Sequence, residues 1–153
     1  MIEVLIILSI ILIDQLTKYL AVIRLKDIGS IEIVRGIFNL TYVENRGAAF
    51  GILQNHRWFF IITTTIICVL MIYFLITQSN TSIVLRISLS MILGGAIGNL
   101  VDRIRFGYVV DMLHFTLIDF PVFNVADCFV VTGTILLAYY ILFVADKVEK
   151  EVV

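Results

Sequence analysis

Residues 122–145 read VFNVADCFVVTGTILLAYYILFVA. A helix needs about 20 mostly apolar residues to cross ~30 Å of hydrocarbon, and this run is long enough. Asp127 is its one charge. A carboxylate just inside a membrane span is costly and is usually kept for work, so it raises a functional hypothesis at once.

Three more apolar runs lie upstream, at 2–21, 58–77 and 83–101. The first is interrupted by Asp14 and Lys18, and the second has no charge. The third carries Arg86 near its start, where a long stem can snorkel. The first run lacks a basic leading region and a clean small-residue cleavage site, so it is expected to stay as a span rather than leave as a signal peptide. Composition agrees with a membrane protein. The 153 residues are 61% hydrophobic and 15% charged, with a mean hydropathy of +1.07, whereas soluble domains are about a quarter charged. The expectation is a single all-α membrane domain over 1–153. It has four transmembrane helices, a long loop at 22–57 and a second loop at 102–121.

Other classes are disfavoured. A net charge of -1 gives no electrostatic case for nucleic acid. Cys68 and Cys128 sit in apolar runs and read as reduced packing residues. Within the long loop, residues 31–43 alternate roughly in period two, which predicts short extramembrane strands. Asn45-Arg46-Gly47 is a turn signal, and the apolar residues 48–53 after it predict a lid-like segment on the membrane surface. Gly94 and Gly98 have the small-xxx-small spacing that lets helices approach closely.

An even number of crossings puts both termini on one side and both loops on the other. The polar residues gather on the loop side. Asp14 and Lys18 lie in the nearer half of the first span; Asn99, Asp102 and Arg103 end the third. Asp111 is in the second loop, and Asn124 and Asp127 open the fourth span. At 1.5 Å per residue, Asp14 is ~10 Å and Asp127 ~8 Å below that surface. Asp14 and Lys18 are i,i+4 and can pair. Asn99, Asp102 and Arg103 share a helix face, and Asn124 and Asp127 are expected to share another.

This set suits one chemistry better than others. No Ser or Cys stands beside His56 or His114 in a nucleophile pattern, and no His/Asp/Glu spacing suits a metal. Two nearby aspartates remain. They cannot both ionise easily and would share a proton, one activating water and the other polarising a carbonyl. Spacing leaves Asp102, Asp111, Asp119 and Asp127 as candidates, with Asp127 favoured by its depth.

Five segments, in order, carry a resemblance. They are Asp14-Gln15-Leu16-Thr17-Lys18, Asn45-Arg46-Gly47-Ala48-Ala49-Phe50-Gly51, the stretch from Gly94 to Arg103 (GGAIGNLVDR), Val109-Val110-Asp111, and Phe123-Asn124-Val125-Ala126-Asp127. The chain resembles the bacterial lipoprotein signal peptidase (signal peptidase II) family along nearly its whole length. The resemblance implies an aspartic endopeptidase of the bacterial cell membrane. Such an enzyme removes signal peptides from prolipoproteins, cutting before a diacylglyceryl-modified Cys. It selects Asp111 and Asp127 as the catalytic pair and gives Asn45, Asn99, Arg103 and Asn124 positioning or substrate-binding roles. Asp14, Lys18, Asp102 and Gly47 are left as structural or site-supporting. The implied partners are lipidated prolipoproteins and membrane lipids, with no cofactor, metal or nucleic acid.

Orientation divides the two lines of reasoning. The loop side carries Arg24, Lys26, Arg35, Arg46, Arg57, Arg103 and Arg105, against Lys147 and Lys150 with the termini. The rule that Lys and Arg favour the cytoplasmic side would put the site inside. The resemblance implies cytoplasmic termini and an outward-facing site, and the expectation follows it. The competing class is a small proton-coupled transporter or channel subunit, in which intramembrane acids also occur. That class predicts polar residues strung through the membrane depth, whereas here they crowd one face.

Overall fold

The computed structural model describes residues 1–47, 52–78, 81–118 and 120–145. The element order is α1 (Ile2–Leu25), β1 (Ser30–Val34), β2 (Phe38–Asn45), α2 (Arg57–Thr77), α3 (Ile83–Arg105), β3 (Val109–Phe115) and α4 (Val125–Phe143). All four helices are long and apolar enough to cross a membrane. Leu12, Leu70, Ile76 and Leu142 each point outward and are more than half exposed. Inside the bundle, by contrast, lie Asp14, Lys18, Ser88, Ser90 and Asp102. Apolar outside and polar inside is the pattern of a chain solvated by lipid, where backbone groups must be satisfied within each helix. The protein is a multi-pass membrane protein.

The third helix is the hub. It packs against α1, α2 and α4, whereas α2 leans mainly on α3. Lipid tails are as apolar as leucine, so close approach rather than the hydrophobic effect holds such helices together. Glycines make the approach possible. A Cβ on Gly98 would meet Asp14 Oδ2 at 2.6 Å, and one on Gly95 would collide with the Ala126 carbonyl. One on Gly133 of α4 would meet the Ser88 carbonyl oxygen at 2.9 Å. Gly94 admits Ile10 in the same way. The spacing at Gly94 and Gly98 is thus used as expected, with Gly95 and Gly133 adding to it.

The helix bounds differ from the expected runs at the loop side. α1 continues to Leu25 and α3 to Arg105, so Asn99, Asp102 and Arg103 lie within a continuing helix rather than at its end. α4 starts at Val125, and Asn124 is its N-cap. Asn124 and Asp127 are therefore not neighbours on one helical face. They form a capping box: the Asn124 side chain accepts from the Asp127 N–H and the Asp127 side chain accepts from the Asn124 N–H. Asp127 sits in the first turn of the helix. At the other end, Arg86 does not snorkel. Its Nε donates to Glu3 Oε1 at 2.7 Å, and its Nη1 donates to the carbonyls of Leu75 and Gln78. This brace ties the start of α1 to the α2–α3 turn.

The extramembrane sheet has three antiparallel strands in the order β1-β2-β3. Two come from the first loop, as its alternation predicts. The third, β3, comes from the second loop and was not expected. Its residues Val110 and Met112 pack with Ala21 and Leu25 of α1, seating the sheet on the bundle. Asp111 pairs across to Val43 of β2, on the opposite face. Gly29, with φ +83°, turns the chain from α1 into β1. Residues 48–51 of the expected lid lie outside the described residues, as do Asp119, Lys147 and Lys150. Ile52 and Leu53, also in the expected lid, are exposed and in a turn. Both cysteines are free: Cys68 is buried, whereas Cys128 is exposed on its helix.

The contact at Gly98 is testable. Gly98→Ala would force Asp14 off its place, and overpacking of this kind costs about 1–3 kcal/mol. The melting temperature in detergent is expected to fall for Gly98→Ala and to hold for the lipid-facing Leu12→Ala.

Candidate active site

The site is built upward from one buried cation. Lys18 Nζ lies 2.9 Å from Asp14 Oδ2 and 3.2 Å from Asp102 Oδ2, and all three side chains are buried. The pairing of Asp14 with Lys18 follows their spacing, and Asp102 joins from α3. Gln15 completes the layer, donating to Asp102 Oδ1 at 3.0 Å, the Gly98 carbonyl at 3.2 Å and Asp14 Oδ2 at 3.3 Å. Both carboxylates also reach backbone. Asp14 Oδ1 accepts the Ala126 N–H at 2.9 Å, and Asp102 Oδ2 accepts the Val110 N–H at 3.0 Å.

Three asparagines connect this layer to Asp111 and Asp127. Asn99 Oδ1 accepts from Lys18 at 2.8 Å, and Asn99 Nδ2 donates to Asp127 Oδ1 at 2.8 Å. Asn124 bridges the two aspartates. Its Nδ2 donates to Asp111 Oδ1 at 2.6 Å, and its backbone N–H donates to Asp127 Oδ2 at 3.1 Å. Asn45, at the end of β2, donates to Asp111 Oδ2 at 2.9 Å and accepts the Gly47 N–H at 3.0 Å. One helix cap thus ties together a strand residue and a helix residue that sequence spacing could not relate.

Arg103 lines the same cavity as the two aspartates. Its Nη2 donates to the Gly47 carbonyl at 3.1 Å, its Nη1 lies 3.4 Å from the Asn99 carbonyl, and it sits 4.8 Å from the centre of the Phe60 ring. Among the described residues it makes no ion pair with either aspartate. Its direct hold is on the turn after Asn45. Nearby, Arg57 donates to the carbonyls of Arg103 and Ile104, both at 2.8 Å, and closes the end of α3.

A cavity of about 560 Å³ opens above these groups. Asn45, Asn99, Arg103, Asp111, Asn124 and Asp127 line its polar floor, and Val43, Val109, Phe123, Val130 and Val131 are among its apolar walls. Such a mixture, apolar with a few convergent polar groups, is the ordinary make-up of a ligand site. Asp111 is enclosed, whereas Asp127 is half-buried at the cavity. Burial, helped by the Asp127 carboxylate nearby, pushes Asp111 up to about 7, against the opposing pull of the Asn45 and Asn124 donors. Among the described residues no three His, Cys, Asp or Glu side chains gather as a metal-ligand set. His56 and His114 contact the Gln54 carbonyl and Thr41 instead.

Sequence reasoning missed Gln15, although it stands inside the motif around Asp14. It also missed the N–H groups of Val110 and Ala126, which carry no side-chain signal. Phe123 was named only within a motif. Its carbonyl accepts from Met112 at 3.0 Å and from Leu113 at 2.8 Å and holds the cavity wall to β3.

The comparisons with known proteins agree with one another. The family described as signal peptidase (SPase) II matches residues 6–143. The lipoprotein signal peptidase of Caldanaerobacter subterraneus subsp. tengcongensis is 52% identical over 135 residues, covering 88% of this chain and 91% of the relative. That of Clostridioides difficile is 47% identical, covering 96% and 99%. A bacterial membrane enzyme solved by the in meso method at 1.9 Å superposes with a TM-score of 0.83 and 36% identity, covering 94% of both chains. A second, solved at 2.3 Å, gives 0.83 and 34%, covering 92% of this chain and 87% of that one. With a buried polar site beneath four membrane helices and these likenesses along nearly its full length, the chain belongs to the signal peptidase II family, membrane peptidases that remove signal peptides from prolipoproteins.

Proposed function

We propose that this peptidase is of the aspartic type, with Asp111 and Asp127 as its catalytic pair. The carrying observation is that one residue, Asn124, hydrogen-bonds both carboxylates on the floor of a single cavity. Nearby carboxylates do not both ionise easily, so in this reading the pair holds one proton. Enclosure and the neighbouring Asp127 charge favour its seat on Asp111 near neutral pH. Asp127, open to the cavity, then takes a proton from water. As that proton leaves, the water oxygen attacks the scissile carbonyl while Asp111 hydrogen-bonds the carbonyl oxygen, and Asp127 passes its proton to the leaving amine as the C–N bond breaks.

The remaining residues have supporting roles in this reading. Asn45, Asn99 and Asn124 aim the carboxylates, and Arg103 holds the Gly47 turn at the mouth of the cavity. Asp14, Lys18 and Asp102 support the floor. The substrate is a prolipoprotein cut before its diacylglyceryl-modified Cys. Its acyl chains would lie along the apolar wall that includes Val130 and Val131. Such a bond is presented where lipid ends, and a catalytic residue in the first turn of a span meets it there. No cofactor enters the scheme. The enzyme is assigned to the bacterial cell membrane with both termini cytoplasmic and the site at the outer face. The arginines on the loop side are then free to meet lipid phosphates, to which guanidinium is well matched. The family match and the relatives give a transporter no support.

Asp111→Asn and Asp127→Asn should each reach the membrane at wild-type levels yet process lipidated prolipoprotein about 10⁴-fold more slowly. The readout is the mass shift of purified substrate in detergent containing EDTA, and normal cleavage by either variant removes that residue from the scheme. The pH profile has a definite sign. The Asp111 pKa is raised, so the shared proton is present below about 7 and lost above it. Values of kcat/KM are therefore expected to decline as pH rises through about 7. A C-terminal reporter should be active only in the cytoplasm; activity outside would invert the topology.

A further inference from the structure

We infer that Lys18 is a positioning residue that acts on Asp127 through Asn99, and that its two carboxylate partners set the spacing of the catalytic pair through the backbone. The inference rests on the aspartic reading above.

An ammonium can only donate. Lys18 Nζ, 2.8 Å from Asn99 Oδ1, commits that oxygen, and Asn124 Nδ2 donates to the same oxygen at 3.1 Å. The Asn99 amide has one sense left: its NH₂ faces Asp127 Oδ1 at 2.8 Å. The reverse sense would set an oxygen against a carboxylate and a donor against a cation. Lys18 thus imposes a direction on an otherwise two-way group.

The second link is through the chain itself. Asp14 accepts the N–H of Ala126, the residue before Asp127, and Asp102 accepts the N–H of Val110, the residue before Asp111. Both acceptors are tied to the same ammonium, at 2.9 and 3.2 Å. The two backbone segments that carry the catalytic pair therefore hang from one buried cation. Stability alone does not require this arrangement, since well-packed apolar residues often serve as well as a buried ion cluster.

Removing Lys18 alone would strand two buried carboxylates, so the test variant is Asp14→Asn/Lys18→Met, which keeps the cluster's net charge and leaves Asp102 its Gln15 and Val110 donors. The amide at position 14 still offers an oxygen to Ala126. Cleavage of lipidated prolipoprotein in detergent is expected to show kcat down about 10- to 100-fold, the scale of a small misplacement. KM is expected to change little. In an Asn99→Ala background the same pair should cost less than beside an intact Asn99, because only the backbone link is left to lose. Unchanged kcat, a loss confined to KM, or a full additional loss beside Asn99→Ala would overturn the inference. A separate arm needs no change at Lys18. Asp102→Leu should lose kcat and Asp102→Asn should recover most of it, because the amide can still accept from Val110; equal rates for the two would also overturn it. Asp111→Asn and Asp127→Asn run alongside as references. If they cleave normally, the aspartic reading falls and takes this one with it. If they are inert while the Lys18 and Asp102 variants keep wild-type kcat, only the positioning role is lost.

Discussion

A charged amine enclosed within a membrane bundle is the constraint on which the rest depends. Taking such an ion out of water costs several kcal/mol unless partners surround it. Lys18 has them in Asp14, Asp102 and the Asn99 oxygen. That demand fixes the register of α1 against α3, because the partners come from both helices. It explains Gly98 as well, since any side chain there would occupy the place of the Asp14 carboxylate. Among helices in lipid, apolar contacts alone specify register poorly. Here a small set of hydrogen bonds does so, and it extends directly into α4 and β3.

The two aspartates are chemically identical but differently housed. Asp111 lies on a strand, enclosed, with both oxygens held by amides. Asp127 begins a helix at the edge of a cavity. In the proposed mechanism burial therefore separates an acid from a base without any difference in residue type, a division of labour that environment alone can impose. Asn124 serves both: it caps α4 and holds the strand aspartate.

Much of this architecture could be read from the sequence, because membrane spans are coded by run length. The four helices followed from that, as did the Asp14–Lys18 pair from its i,i+4 spacing. The first two strands followed from alternation. β3 escaped because Val109, Val110, Asp111 and Met112 are all buried, and a strand covered on both faces does not alternate. Asn124 was misplaced on a helical face because periodicity does not say where a helix begins; the capping box does, and it uses the same two residues. The proposed catalytic pair was not decided by spacing, since one member is on a strand and the other on a helix. The order of five motifs singled it out. The role of Arg103 came from its motif, and its contacts with carbonyl oxygens and an aromatic ring carry no signal in spacing.

The slender attachment of α2 has its own consequence. Because α2 leans mainly on α3, it contributes no residue to the cavity lining, where Val130 and Val131 stand on α4. A hydrophobic segment travelling in the plane of the bilayer could then approach the Val130 and Val131 wall without α2 moving. Admission would then depend on how well the visitor fills the berth, and release would need nothing more than its drifting back into the lipid once severed.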